Sequence, residues 1–313
     1  MTLKHFYLIV FLSLFILNGW TFKENPKNDL KGMNLLGKVK SIKITYYQAE
    51  IKSGKIIKGS KRKEPYQSNE ELIYFNNNGN INEIHSFNIN SKLVSKKVFI
   101  YNNSHQISEF SESDSNNNIF KKIKYKYNNQ GRLYTMTWSG QDYIYETKTI
   151  FKYDKLGNLI EEFEKGKDDT FKDVYKYDSN CYLIEESSFI NNKLVYSSHF
   201  KYNAKGYKIE NIYLESPSHN SKTTYTYNET GVLIEENFIR LDTNITANTI
   251  YSYYKKYDNR GNEIFEMHKT RKNDYKEKTY KYEFDSNNNW VEKIIFIDEI
   301  PDIIIDRKFE YYE

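Results

Sequence analysis

The stretch Phe151–Leu159 reads FKYDKLGNL, and variants of it recur along most of the chain. In each copy an aromatic residue is followed by Asp or Asn, two variable residues and, in six of nine copies, Gly. These aromatic residues, which we call anchors, lie 24 to 30 residues apart: Phe75, Tyr101, Tyr127, Tyr153, Tyr177, Tyr202, Tyr227, Tyr257 and Phe284. A period of this length is typical of tandem structural repeats that stack on their neighbours.

Each copy predicts a β-hairpin. The position two before the anchor is aromatic in most copies, which places both rings on one face of a strand. Asp or Asn after the anchor, with Gly three residues later, predicts a type I turn followed by a Gly bulge. Where Gly is absent, His105 and Asn288 tolerate the positive φ required, and Cys181 does so less readily. An aliphatic pair and Glu, as in Leu159-Ile160-Glu161, then begin a return strand.

Nine such hairpins predict roughly eighteen strands in an all-β fold. We expect one elongated, twisted antiparallel meander, for which an open spiral and a partly closed barrel are both consistent with the sequence. The aliphatic pair blurs the alternation, so the buried face of the return strand stays open. The predicted organisation is a signal peptide (residues 1–21), an opening strand with a basic loop (22–71), and nine repeats with a C-terminal capping strand (72–313).

The segments that flank the repeats are less regular. Residues 37–47 read as an opening strand, and residues 48–68 are basic and turn-rich, which predicts a loop or a long hairpin tip. Phe309-Glu310-Tyr311 resembles a tenth aromatic strand with no partner after it. Terminal units of a repeat stack are commonly atypical because they cap it.

The N-terminus predicts export. Lys4 precedes an apolar run from Phe6 to Leu17, which is the pattern of a secretory signal and is short for a membrane span. Cleavage near Gly19 and an uncleaved anchor are both compatible with the sequence. Because no Cys follows the apolar run, we do not expect a lipoprotein. The predicted location is the periplasm, the outer surface or the medium.

The composition favours strands and excludes some partners. The chain has 30 Tyr and 19 Phe, which suit a pleated, half-buried surface. Its net charge of +4 is spread over 46 basic and 42 acidic residues, so we expect no nucleic-acid partner. Cys181 is the single cysteine, which rules out an internal disulfide. No cofactor is implied.

The repeated pattern Tyr-x-Tyr-Asp-x-x-Gly-x-Leu, seen in residues 151–159 and 175–183, resembles the YD repeat of the Rhs family. The resemblance covers about residues 72–313, and the opening segment 35–47 looks like that of small exported YD-repeat proteins common in Bacteroidota. It implies a coiling β-sheet ribbon, which forms a shell around a toxin in large members. This chain lacks the Asp-Pro pair of their self-cleavage motif and a toxin domain after the last repeat, so toxin delivery is not carried over.

No catalytic motif was found. The sequence has no Gly-x-Ser-x-Gly elbow, His-Glu-x-x-His, P-loop or dinucleotide fingerprint, and its six His residues show no metal-ligand spacing. Lys and Glu each recur at one repeat position, as in Lys152 and Glu161, which predicts cross-strand neighbours on a solvated face. Cys181 occupies a degenerate Gly position, where sequence drift is a simpler explanation than a reactive thiol. We therefore expect no enzyme.

Rows of aromatic residues are the candidate ligand-binding site. Exposed rings would suit sugar stacking or a protein hot spot, whereas buried rings would be the core of the sheet. The leading functional prediction is a non-catalytic envelope or secreted interaction scaffold with a protein partner. The alternative is a carbohydrate-binding module for polysaccharide, to which Tyr143 and Tyr145 would also contribute. The candidate residues are Tyr125, Tyr127, Trp138, Tyr175, Tyr177, Tyr225 and Tyr227.

Overall fold

A computed structural model of the protein describes residues 28–62, 69–141, 143–215, 219–241, 252–269 and 275–313. The predicted signal segment lies outside these residues. They form a short helix and one antiparallel sheet of 21 strands. Contacts divide them into two compact units. Unit 1 comprises Asp154–Ile160 and Asp173–Tyr275, and unit 2 comprises Pro26–Tyr153, Glu161–Lys172 and Lys276–Glu313. Within the described ranges, no helix is long and apolar enough to cross a membrane.

The elements follow one another in chain order. They are α1 (Asp29–Gly32), β1 (Val39–Lys52), β2 (Lys55–Lys61), β3 (Glu70–Phe75), β4 (Ile81–Phe87), β5 (Leu93–Tyr101), β6 (Ile107–Asp114), β7 (Ile119–Tyr127), β8 (Leu133–Gly140), β9 (Tyr143–Tyr153), β10 (Leu159–Lys165), β11 (Thr170–Tyr177), β12 (Leu183–Ile190), β13 (Lys193–Tyr202), β14 (Lys208–Leu214), β15 (Asn220–Tyr227), β16 (Leu233–Leu241), β17 (Ser252–Tyr257), β18 (Glu263–Lys269), β19 (Tyr275–Phe284), β20 (Trp290–Ile297) and β21 (Ile300–Tyr311).

The predicted hairpins are confirmed. Strands β3–β20 are the eighteen repeat strands, each anchor ends its strand, and the return strand begins six residues later. The residue four after the anchor has a φ between 60° and 95° in all nine turns, including His105, Cys181 and Asn288. In the first turn the Gly79 N–H donates to the Asn76 carbonyl at 2.8 Å, and the Asn76 side chain accepts from the Asn78 N–H at 3.0 Å. The turn chemistry read from the sequence therefore sets the strand ends.

A second bulge explains why the aliphatic pair breaks the alternation. In β7–β8, Tyr127 pairs with Leu133 and Lys126 pairs with Thr135, so Tyr134 is an extra residue. The same one-residue shift occurs in β3–β4, β5–β6, β13–β14, β15–β16, β17–β18 and β19–β20. A bulge resets which side chains face each side and increases the local twist.

The first strand pairs on both edges. Within unit 2, β1 pairs with β3 through Ser41–Thr45 and with β21 through Val39–Gln48. The predicted tenth aromatic strand is β21, and its partner is the opening strand, because β1 pairs with β3 along one edge and with β21 along the other. The predicted all-β antiparallel meander is confirmed, and β1 also pairs with β2 within unit 2. The predicted loop or hairpin tip after residue 47 is the β1–β2 hairpin, and residues 63–68 lie outside the described ranges.

An apolar cluster of unit 2 holds α1, a helix that the sequence analysis missed. Leu30 and Leu35 pack with Val39, Ile42 and Phe75. The Asp29 carboxylate also accepts a hydrogen bond from the Ile81 N–H at 2.6 Å. The helix has four residues and no periodic apolar pattern, so it depends on these tertiary contacts.

Gly79 is needed here for space as well as for its φ. A Cβ at this position would lie 2.6 Å from the Asn28 amide and 3.0 Å from Leu30. The same turn position accepts His105 in the next repeat.

Candidate functional site

The anchor tyrosines join neighbouring repeats. Six of their hydroxyls donate at 2.6–2.8 Å to the carbonyl oxygen of the first residue in the preceding return strand. The pairs are Tyr101–Ile81, Tyr127–Ile107, Tyr153–Leu133, Tyr177–Leu159, Tyr202–Leu183 and Tyr227–Lys208. Burial raises the pKa of Tyr153, Tyr202 and Tyr227 to about 12. The hydroxyls of three candidate ligand-binding residues, Tyr127, Tyr177 and Tyr227, are thus used within the sheet.

The other candidate aromatic residues are also covered. Tyr175 is 6% exposed and Trp138 is 3% exposed. Burial raises the pKa of Tyr125 to about 12, and the Lys208 ammonium lies 4.9 Å from the centre of the Tyr225 ring. The structure places Tyr125, Tyr127 and Trp138 in unit 2 and the other four candidates in unit 1. Their role in ligand binding stays a prediction, and the side chains of Tyr143 and Tyr145 lie outside the description.

A row of carboxylates in unit 1 escaped the sequence analysis. Glu186, Glu236 and Glu266 each lie nine residues after an anchor and face the same side of the sheet as the partly buried aromatic rings. Glu236 accepts hydrogen bonds from Tyr253 at 2.9 Å and from Tyr257 at 3.0 Å. For Glu186 and Glu236 the signal was the doubled Glu that follows the aliphatic pair, in which the second Glu lies on the buried side; Glu266 follows Ile264-Phe265 as a single Glu.

Two carboxyl groups share one part of this face. Asp173 on β11 hydrogen-bonds Ser188, and the Tyr196 hydroxyl lies 3.4 Å from Glu186 Oε1. Burial and the Asp173 charge raise the pKa of Glu186 to about 7, and burial raises the pKa of Asp173 as well. Because Asp173 and Glu186 are buried on the same face, ionising both carboxyl groups at once is unfavourable. The pair therefore tends to retain one proton.

Two lysines provide positive charge on the same face. Lys208 is 7% exposed and lies between the rings of Phe200 and Tyr225, with its ammonium 5.5 and 4.9 Å from the ring centres. Burial lowers the pKa of Lys208, while Glu236 and Glu186 act to raise it. The Lys255 ammonium lies 3.5 Å from Glu266. Acidic, basic and aromatic side chains therefore compensate one another here, as buried charges require.

The opposite face carries the predicted Lys–Glu neighbours. In these pairs the lysine side chains are 60–69% exposed, which is the range in which a pair contributes little to stability. The pairs are Lys152–Glu161 at 2.6 Å, Lys176–Glu185 at 2.9 Å and Lys201–Glu210 at 2.7 Å.

An open cavity of about 830 Å³ lies in unit 2, where the first repeat departs from the others. We call it the first-repeat cavity. Asn28 and Leu30, residues 37–40, residues 76–79 and residues 311–313 line it. Its size is within the range of small-molecule sites, and amide, ammonium and aromatic groups reach it.

Metal ligands are not grouped in the described part of the chain. No three His, Cys, Asp or Glu side chains there are arranged to hold a metal ion. His85 pairs with Glu83 at 2.8 Å and His268 pairs with Glu266 at 2.6 Å. Cys181 is a free thiol of intermediate exposure in its turn.

No family model and no curated protein matches the chain. Among solved structures, TcdB2-TccC3 is similar over 72% of this chain and 15% of its own length, with 12% identity and a TM-score of 0.35. TcdB2-TccC3 without its hypervariable C-terminal region is similar over 83% and 16%, with 10% identity and a TM-score of 0.33. A porin-like protein from Bacteroides uniformis is similar over 87% and 96%, with 8% identity and a TM-score of 0.35. At these values the similarities carry no argument about family or activity.

Proposed function

We propose that the chain is a non-catalytic scaffold that is exported and binds another molecule at the cell envelope or outside the cell. The observation that carries this proposal is the use of the repeated tyrosines. Six anchor hydroxyls donate to main-chain carbonyls of the neighbouring repeat. The most regular residues of the sequence therefore hold the sheet together, and binding falls to surfaces that do not repeat.

The first-repeat cavity is the surface that best fits a binding role. It lies where α1, the first anchor turn and the last strand meet, and none of the other repeats adds a helix to its turn within the described ranges. Its wall includes the exposed Asn77, Lys38 and Lys40. The cavity therefore presents polar groups that are positioned by a sheet, and many binding sites have this arrangement.

The carboxyl groups of unit 1 are better explained by structure than by catalysis. Glu186 has a pKa near neutrality, as catalytic acids often do. Its neighbours are nevertheless Asp173, Tyr196 and Lys208, all side chains of the same sheet face. A general acid must reach a substrate proton, and the first-repeat cavity is lined by other residues.

Export and membership of the YD-repeat family complete the proposal. The apolar segment after Lys4 supports export. The nine turns with an aromatic anchor, Asp or Asn, and a positive φ four residues later support a YD-type repeat. A carbohydrate-binding surface made of exposed tyrosine rows has less support, because the hydroxyls of Tyr127, Tyr177 and Tyr227 are used within the sheet.

A binding experiment tests the scaffold proposal. The full chain, exported and purified from the medium or periplasm, is immobilised and exposed to envelope extract, and retained proteins and glycans are measured against concentration. We expect saturable retention that falls in the double variant Lys40→Ala/Asn77→Ala. The control Asn103→Ala changes the equivalent residue of the second turn, which is exposed and outside the cavity. Absence of saturable retention would refute the proposal.

A further inference from the structure

Arg307 on β21 is a partly buried cation that has no acidic partner among the described residues. Its Nε is enclosed and has no hydrogen-bond partner there, although the side chain as a whole keeps intermediate exposure. Burial lowers the pKa of Arg307 to about 10, and the groups that act to raise it are Tyr46 and Tyr282 rather than a carboxylate. A buried charge is costly when no counter-ion accepts its hydrogen bonds.

The guanidinium of Arg307 is held by an aromatic ring. Its central carbon lies 3.4 Å from the centre of the Trp290 ring. Trp290 in turn contacts Tyr282 edge-on, with the ring centres 6.0 Å apart. A cation–π contact of this kind attracts the charge but fills none of the five N–H donors of the guanidinium. The stack therefore fixes the plane of the guanidinium and leaves its N–H groups for another acceptor.

A second cation lies on the same face of the sheet. Lys293 on β20 pairs with Ile305, two residues before Arg307, so Lys293 and Arg307 are diagonal neighbours. Long side chains at such positions come within reach of each other. The Lys293 ammonium lies 4.6 Å from the centre of the Tyr280 ring and 5.6 Å from that of Tyr282. Tyr282 is thus a common neighbour of both cations.

The acidic residues of the neighbouring strands do not neutralise Arg307. Asp306 and Glu292 both pair with Lys58, and Asp306 faces the other side of the sheet because it precedes Arg307 in the strand. Glu71 lies in the same row as Arg307 but on the far side of β1, so about 10 Å separate their backbones. The charge of Arg307 is therefore available to a ligand.

We propose that Arg307 and Lys293 form a binding site for an oxyanion, a carboxylate or a phosphate group, on this face of unit 2. The terminal N–H groups of Arg307 match the two oxygens of such an anion, and Lys293 adds a second positive charge. Both cations only donate hydrogen bonds, so they favour an anionic acceptor over a metal ion. The site shares no residue with the first-repeat cavity, so it goes beyond the scaffold proposal and is tested separately from it.

Isothermal titration calorimetry of the full chain with sodium phosphate, sodium sulfate or sodium acetate tests the inference. Sodium chloride keeps the ionic strength constant, and the three anions distinguish a tetrahedral group from a carboxylate. The wild type should bind at least one of them saturably. Arg307→Gln should weaken that binding about tenfold or more, because it removes the charged donors. Lys293→Gln should weaken it about threefold.

Lys308→Gln is the matched control. Lys308 is adjacent in sequence and exposed, and its replacement removes the same charge. Binding should be unchanged in this variant. Equal weakening in Lys308→Gln and Arg307→Gln would overturn the inference, because it would indicate general electrostatic attraction rather than a site.

Two other results would also overturn the inference. The first is wild-type protein that binds none of the three anions above the chloride background. The second is wild-type affinity in Arg307→Gln with its fold retained, as checked by circular dichroism. If Arg307→Gln does not fold, Lys293→Gln decides the question, and wild-type affinity in that folded variant would exclude the site.

Discussion

Glu186 gives the sharpest test of the buried face in unit 1. Its pKa is about 7 in the folded chain, against a usual 4.5, because burial and the Asp173 charge disfavour its ionised form. Asp173 faces it from β11, Tyr196 from β13 and Lys208 from β14, and Ser188 lies on its own strand. Replacing the carboxyl by a neutral amide of similar shape removes the ionisation while keeping the packing.

The sign and size follow from proton linkage. Between pH 4.5 and about 7 the folded chain binds more protons at Glu186 than the unfolded chain does, so stability from this group falls as the pH rises through that range. At about 1.4 kcal/mol per pH unit, the full difference is at most about 3 kcal/mol. Glu186→Gln should therefore resemble the wild type at pH 4 and be more stable at pH 8.5 by up to about 3 kcal/mol.

Urea unfolding followed by circular dichroism at several pH values measures this difference. Glu185→Gln is the matched control, because Glu185 is adjacent in sequence but faces Lys176 on the opposite side. The Lys176 contact lowers the pKa of Glu185, so its replacement should cost a little stability at neutral pH and give no gain at pH 8.5. Equal pH dependence in the wild type and Glu186→Gln would refute the reasoning.

Three further changes test the turns and the exposed pairs. Gly206→Ala should destabilise the protein more than Gly261→Ala, as measured by thermal unfolding. Both glycines have a φ near 80°, but a Cβ at Gly206 would lie 2.2 Å from the Tyr182 hydroxyl. Equal losses of stability in the two variants would contradict the crowding argument. Cys181→Gly should raise the unfolding free energy by about 1 kcal/mol, because Cys181 has a left-handed backbone with a φ of 64°. A lower unfolding free energy would contradict backbone strain at Cys181. Lys201→Ala should change the unfolding free energy by less than about 1 kcal/mol, and a larger loss would contradict a solvated pair.

The hairpins could be predicted because their determinants are local. An anchor, Asp or Asn, and a residue that tolerates positive φ specify each turn, and all nine turns form as the spacing indicated. The chain closure could not be predicted, because pairing of β1 with β21 joins residues more than 250 positions apart. Helix α1 was missed for a similar reason, since its stability comes from Leu30 and Asp29 contacts with the first repeat.

The candidate site was harder to predict than the fold. Aromatic rows are visible in sequence, but whether a ring is exposed depends on the bulge that follows each turn and on the neighbouring repeat. Trp138, for example, is covered, with the Lys121 ammonium 5.0 Å from its ring centre. The first-repeat cavity combines Asn28, Leu30 and residues 37–40, 76–79 and 311–313, which have no common motif.

The central claim is that the repeated tyrosines hold the sheet together rather than bind a ligand. Urea unfolding and glycan binding of Tyr127→Phe, Tyr227→Phe and the control Tyr134→Phe test it most directly. Tyr134 is 54% exposed, whereas the other two donate to main-chain carbonyls. We predict that each anchor variant loses about 1 kcal/mol of unfolding free energy with binding unchanged, and that the control loses nothing. Anchor variants with wild-type stability and weakened binding would contradict the claim.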